Sequence, residues 1–211
     1  MWKWMLLATL MVVVAGLALA YGYYRSAMAE ADRAMAEVEA QIRPAAGNFD
    51  PATLVGLPEI AQRYFGHAIA RGTRLSTAVR LEMEGTFLLG DATQFQTYSM
   101  HARQVLAPPS AFVWIPEMKA GVMQITGSDA LVNGRGWTRF WINGLLPVVG
   151  VQTSADLVRS ALSRAAMEAV WVPASLLPSN GVASRQLPSG ARTSSHLDRR
   201  HYTSERFDNL R

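Results

Sequence analysis

The longest apolar run in the chain lies at its beginning. From Trp4 to Tyr24 no position is charged, and no polar face interrupts the run. As a helix it covers roughly 30 Å, the depth of a bilayer's hydrocarbon core. Trp2 and Trp4 flank one end and Tyr21, Tyr23 and Tyr24 the other, where interfacial aromatics belong. The pattern predicts a transmembrane signal-anchor over residues 1–25. Ala18-Leu19-Ala20 also fits the cleavage site of a signal peptide, and either reading exports the remainder. Lys3 and the free amine precede the run, and Glu30, Asp32, Glu37 and Glu39 follow it. The positive side is therefore the N-terminus. This predicts a single-pass membrane protein, N-terminus cytoplasmic and body extracytoplasmic.

Beyond the run, the period of the apolar positions changes twice. Ala31, Met35, Val38 and Ile42 recur at helical spacing and predict a helix over Ala27–Ile42, ended by Pro44. It reads as a stalk, either a solvated connector or a partner-binding helix. Residues 26–56 thus form a helical stalk and linker, the linker being the turn-rich "NFDPATLVG". "LPEIAQRYFGHAIARG" predicts a second helix with Leu57, Ile60, Ala61, Tyr64 and Ala68 on one side, Pro58 at its start and Gly72 past its end.

From Thr77 the period becomes two. Val79, Leu81 and Met83 alternate with Arg80, Glu82 and Glu84, as in a half-buried antiparallel strand. Gln94–Leu106 is a second strand, broken by Pro108-Pro109, and "AFVWI" and "GVMQI" are two short ones. In "DALVNGRGWTRFWI" the Asn133-Gly134 pair between apolar arms predicts a hairpin. "LLPVVG" reads as a loop or short strand end. "TSADLVRSALSRAAMEAV" predicts a helix with Thr153 and Asp156 as a capping box and Val158, Ala161, Leu162, Ala165 and Ala169 facing one way. The fold class is α+β: a transmembrane helix, then helices and a partial antiparallel sheet of about six strands, with the α+β domain over residues 57–183.

Composition sharpens the membrane reading. Half of the 211 residues are hydrophobic and 17% are charged, below the quarter usual for soluble domains. The net charge of +4 is concentrated after Ser184, where six arginines face three acids, so the body is near neutral. Its basic isoelectric point is no argument for nucleic-acid binding. With no cysteine, disulfides, thiolate metal sites and a cysteine nucleophile are excluded.

The residues offer little catalytic chemistry. His67, His101, His196 and His201 form no ligand-spaced pair, so no metal site is expected. Glu82 and Glu84 share a strand face with Arg80 and read as its solvated side. Gly134 and Gly136 lie in a hairpin, the wrong context for a dinucleotide site. A Ser–Lys dyad would have only Lys119 in the body. No catalytic or cofactor-binding residue is assigned. The aromatic residues remain: Trp114, Trp137, Phe140, Trp141 and Trp171. Trp137 and Trp141 share a strand face with Arg139 between them, and Phe140 takes the other face. They are core residues or the wall of a site for an apolar, lipid-like ligand, with Arg139 available to an anionic head.

"LPEIAQRYFGHAI", "FVWIPEM", "RFWINGLLPVV" and "EAVWVPASLLPSNGV" resemble an uncharacterised bacterial membrane-anchored family, a domain of unknown function of the 6544/6920 type. The resemblance covers Leu57 to Val182 and centres on Glu168, Ala169, Val170, Trp171, Pro173, Leu176, Leu177 and Pro178. It implies no activity. By architecture alone it suggests a lipoprotein-carrier-like sheet, which is weak warrant for function. Members of the family continue after such a motif with further strands. Here residues 184–211 are Arg- and Ser-rich and without periodicity. They read as a frameshifted or truncated end, or as a disordered tail. The functional expectations are a membrane-anchored protein binding an apolar or lipid-like ligand, an envelope structural or interaction protein, or a truncated hydrolase whose catalytic half is missing.

Overall fold

A computed structural model of the protein describes residues 1–40, 42, 44–91 and 93–184. The tail reading, with His196 and His201, falls outside them. The described chain divides into two compact units, one within residues 1–43 and 78–171, the other within residues 44–77 and 172–184.

The first unit is built on one helix, α1, Trp2–Glu39. Its 38 residues extend roughly 57 Å, nearly twice what a bilayer's core requires. The N-terminal part is exposed, and it is long and apolar enough to cross a membrane. The C-terminal part buries Ala27, Ala31, Ala34, Met35 and Val38. These lie against a six-stranded antiparallel meander of β3 (Val79–Gly90), β4 (Phe95–Ala107), β5 (Ala111–Ala120), β6 (Met123–Val132), β7 (Arg135–Ile142) and β8 (Leu146–Val151). The helical stripe read as a solvated connector or a partner's contact is thus covered by the protein's own sheet. Three alanines on that stripe let the helix axis approach closely, and Val105, Val113, Ile115, Ala130 and Trp137 fill the contact.

Polar residues fix this docking along the length of the helix. Thr126 Oγ1 donates to the Tyr24 hydroxyl at 3.1 Å, Arg139 Nη1 to Glu30 at 2.6 Å, and Arg103 Nη2 to Asp32 at 2.9 Å. Asn133 Nδ2 donates to Glu37 at 2.7 Å, and Arg80 pairs with Glu39 at 3.3 Å. The alternation along β3 is as the sequence implies: Val79, Leu81 and Met83 are half-buried, and Arg80, Glu82 and Glu84 are exposed. Asn133 (φ 52°) and Gly134 (φ 73°) make the two-residue turn joining β6 to β7. "LLPVVG" forms a true edge strand, β8, exposed along its whole length.

The opposite face of the sheet is partly covered by α3, Ala155–Glu168. Its N-cap is Ser154, whose Oγ accepts from the Leu157 N–H at 3.1 Å. The predicted cap, Thr153, is engaged elsewhere: its hydroxyl donates to the Gly136 carbonyl and accepts the Gly136 N–H. Ala161, Ala165 and Ala169 are buried as expected, while Leu162 stays exposed.

The second unit pairs β1 (Pro44–Asn48) with β2 (Arg74–Ser76), a pairing unmarked in the sequence. Its helix α2 covers Glu59–Ala68. Phe49, Leu54, Phe65, Ile69, Ala174 and Leu177 form its core. The buried side of α2 runs through Ala61, Phe65 and, just past its end, Ile69, each one turn from the last, and leaves Ile60, Tyr64 and Ala68 exposed. The proline-punctuated end of the chain contributes 3-10 turns at Pro173–Leu176 and Pro178–Asn180.

Candidate functional site

The sheet meander distributes the aromatic residues over two faces. Successive strand residues point to opposite sides, so Trp137, Arg139 and Trp141 face α1 while Phe140 faces the other way. Trp137 and Trp141 are buried. Trp137 Nε1 donates to Ser128 Oγ at 3.0 Å, and Trp141 meets the rings of Tyr23 and Tyr24 edge-on at 6.0 and 5.6 Å. The Arg139 guanidinium lies 5.4 Å from the Trp137 ring and is held by Glu30 and by Gln152 at 3.1 Å. Its Nε is buried without a partner. An anionic head would have to displace Glu30 or Gln152 to reach both terminal nitrogens.

On the other face the structure brings Trp114 and Phe140 together, ring centres 6.2 Å apart. Trp171 is 66% exposed. The six sequence-predicted residues are therefore split: Trp137, Arg139 and Trp141 under the helix, Trp114 and Phe140 on the opposite face, Trp171 at the surface.

The face that carries Trp114 and Phe140 has two halves. Near α3 it is polar. Arg164 pairs with Asp129 and with Glu168, the latter at 2.7 Å, and its guanidinium lies 4.7 Å from the Phe112 ring and 5.1 Å from that of Trp114. Buried Gln104 donates to Glu168 at 2.5 Å, and the Thr138 hydroxyl donates to Asp129 at 2.8 Å. Two carboxylates around one arginine leave the cluster with an excess negative charge. These bonds join α3 to β4 and β6, so their direct effect is to clamp α3 to the sheet. Sequence reasoning missed this cluster, because only the i,i+4 spacing of Arg164 and Glu168 carries a local signal.

The other half is apolar. Tyr98, Met118 and Ile125 are buried, and Phe87, Met100, Phe140 and Ile142 are packed around them but only partly covered. Gly127 lies at the centre of this area, where a Cβ would stand 2.1 Å from the Arg139 carbonyl oxygen and 2.6 Å from the Phe140 ring. Any side chain there would force β6 and β7 apart. The part of this area left open, Phe87, Met100, Phe140 and Ile142, is an apolar surface.

Among the described residues, no group of three His, Asp or Glu side chains converges as a metal site. His101 stands on β4, paired in register with Glu84 and Glu117 on its neighbours, and His67 lies on α2. In the second unit Ile60, Ala61, Tyr64, Phe65, Leu176 and Val182 line an open groove, and burial raises the Tyr64 phenol above its ordinary value of 10.0.

No curated protein and no solved structure matches the chain. A family model does, over residues 47–191, a range that holds every strand of the meander and the Glu168–Pro178 motif. The chain belongs to DUF6544, a family of unknown function.

Proposed function

We propose that the chain is a single-span, membrane-anchored protein whose sheet binds an apolar or lipid-like ligand. The observation that carries this reading is the division of α1: an exposed apolar half followed, without a break, by a half that forms the spine of the sheet. The charge pattern supports a cytoplasmic N-terminus and an extracytoplasmic sheet of the cell envelope. The half-covered surface of Phe87, Met100, Trp114 and Phe140 is where an acyl chain would lie. Arg139, turned to the α1 face and held by Glu30, has no part in this surface.

The test is photocrosslinking of the full chain in nanodiscs with a diazirine-bearing fatty acid. Adducts on peptides carrying Trp114 or Phe140, reduced in Phe140→Ala, are expected. Adducts confined to the Trp4–Tyr24 segment would reject the ligand surface. A second reading, an envelope interaction protein, rests on β8. Its six residues are exposed and include Val148, Val149 and Val151, an open edge suited to strand addition by a partner. Crosslinks through β8 to another protein, with no lipid adducts on the sheet, would favour it.

A further inference from the structure

The sheet and α1 run in step. Tyr24 meets Thr126, and Glu37 meets Asn133. Between those points the helix advances roughly 20 Å and β6 roughly 23 Å, so the two are close to parallel. One end of the sheet therefore points back toward the apolar half of α1. The residues at that end are unlike those at the other.

The turn joining β5 to β6 carries Val122, 97% exposed, and next to it Met123. Met123 lies three residues before Thr126, roughly 10 Å along the strand. That is the length of about seven helical residues, which brings this turn below Tyr24 to the level of the apolar run. The turn joining β7 to β8 touches the aromatic belt itself. At Gly144 (φ +68°) a Cβ would stand 3.0 Å from the Tyr24 ring and 3.5 Å from that of Tyr21. Leu145 and Leu146 follow it and are exposed. The β3–β4 hairpin extends past the same end with Leu88 and Phe95 exposed. The opposite end of the sheet, at the β6–β7 turn, presents Asn133, Gly134 and Arg135.

We propose that this end of the sheet enters the interface of the bilayer that α1 spans, making a second, monotopic contact. The inference rests on the membrane-anchor reading above. Its occupant is the lipid of that bilayer. The tips are continuous with the tyrosine belt of the span, and apolar groups of this kind are stable at the boundary of headgroups and chains. Arg25, just past the belt, is exposed and long enough to reach the headgroups, while Lys119, on the strand before Val122, is exposed and paired with Glu117. The β3–β4 turn is polar at its apex. Asp91 accepts hydrogen bonds from the Thr93 hydroxyl and the Thr93 and Gln94 N–H groups, which hold its carboxyl below its ordinary value. That polar apex lies beyond Leu88 and Phe95 in the hairpin, so the contact is made by the β5–β6 and β7–β8 turns.

The chain contains no cysteine, so single cysteines report one position each. Full-length Val12→Cys, Val122→Cys, Leu146→Cys and Ser160→Cys, each labelled with an environment-sensitive fluorophore, would be placed in phosphatidylcholine nanodiscs with and without brominated chains. Val122 and Leu146 are open to solvent, so neither substitution disturbs the core. Labels at Val12, Val122 and Leu146 are expected to shift to the blue and lose emission to the brominated lipid, while Ser160, on α3, does not respond. Quenching at Val12 with Val122 and Leu146 behaving like Ser160 overturns the second contact and leaves the anchor standing. Absence of quenching at Val12 overturns both.

Discussion

Arg164 shows how one side chain can hold two elements. Its guanidinium stacks over Phe112 and Trp114 and pairs with Asp129 on β6 and Glu168 on its own helix. About a quarter of the arginine side chain and a fifth of Asp129 remain in contact with solvent, so the full energy of a buried pair does not apply. Removing the arginine nevertheless leaves two carboxylates without their shared cation and takes the guanidinium off the Phe112 and Trp114 rings. Arg164→Ala is expected to destabilise the first unit by about 2 kcal/mol. Glu168→Gln, which keeps a hydrogen-bond acceptor for Gln104, is expected to cost about 1 kcal/mol. Thermal unfolding of the detergent-solubilised chain would read these as losses of about 4–8 °C and 2–4 °C. Equal melting temperatures for Arg164→Ala and the parent would show that the cluster does not clamp α3.

At the scale of elements, the contact between α1 and the sheet depends on small residues. Ala31 is fully buried against the sheet, while Ala36 on the same helix is exposed. Ala31→Leu is expected to cost about 1–3 kcal/mol through overpacking, and Ala36→Leu close to nothing. The same melting measurement separates them; similar values for both would disprove the packing. The elements differ in how far their sequence announced them. Val79, Leu81 and Met83 specify a one-sided strand by alternation, and Asn133-Gly134 specifies its turn because both positions need positive φ. The cap of α3 was decided by distant atoms: Thr153 and Ser154 are equivalent locally, and Gly136 claims the threonine hydroxyl. The pairing of β1 with β2 carries no alternation of its own. The destination of the Ala31, Met35 and Val38 stripe was equally hidden, since the residues that receive it, Val105, Val113, Ala130 and Trp137 among them, are spread over four strands. The candidate surface was half legible for the same reason. Strand parity placed Phe140 opposite Trp137 and Trp141, but only the tertiary structure brings Trp114 to Phe140 and leaves Trp171 in solvent.

For the whole molecule, the helix that fits a membrane also completes the core. Ala31, Ala34, Met35 and Val38 share one cluster with Val105, Val113 and Trp137. A chain beginning at Ser26 keeps this cluster intact, and its sheet is expected to fold and to show cooperative unfolding. A chain beginning at Pro44 exposes that sheet face and is expected to aggregate or to lack a cooperative transition. Circular dichroism and size-exclusion chromatography of the two would decide. A well-folded Pro44 chain would mean that α1 is an accessory to the sheet.

The unbroken course of α1 has a mechanical consequence. No proline interrupts its 38 residues, and the Arg139–Glu30 and Asn133–Glu37 contacts fasten the sheet to it well beyond Tyr24. There is no soft joint at which the sheet could pivot independently. In a bilayer, a change in tilt of the span would become an equal rotation of the sheet. With a lever arm of roughly 20 Å between Tyr24 and Glu37, a tilt of about 20° would carry the Asn133 end sideways by roughly 7 Å. Membrane thickness, which sets that tilt, would then be transmitted as a displacement of the far end of the sheet.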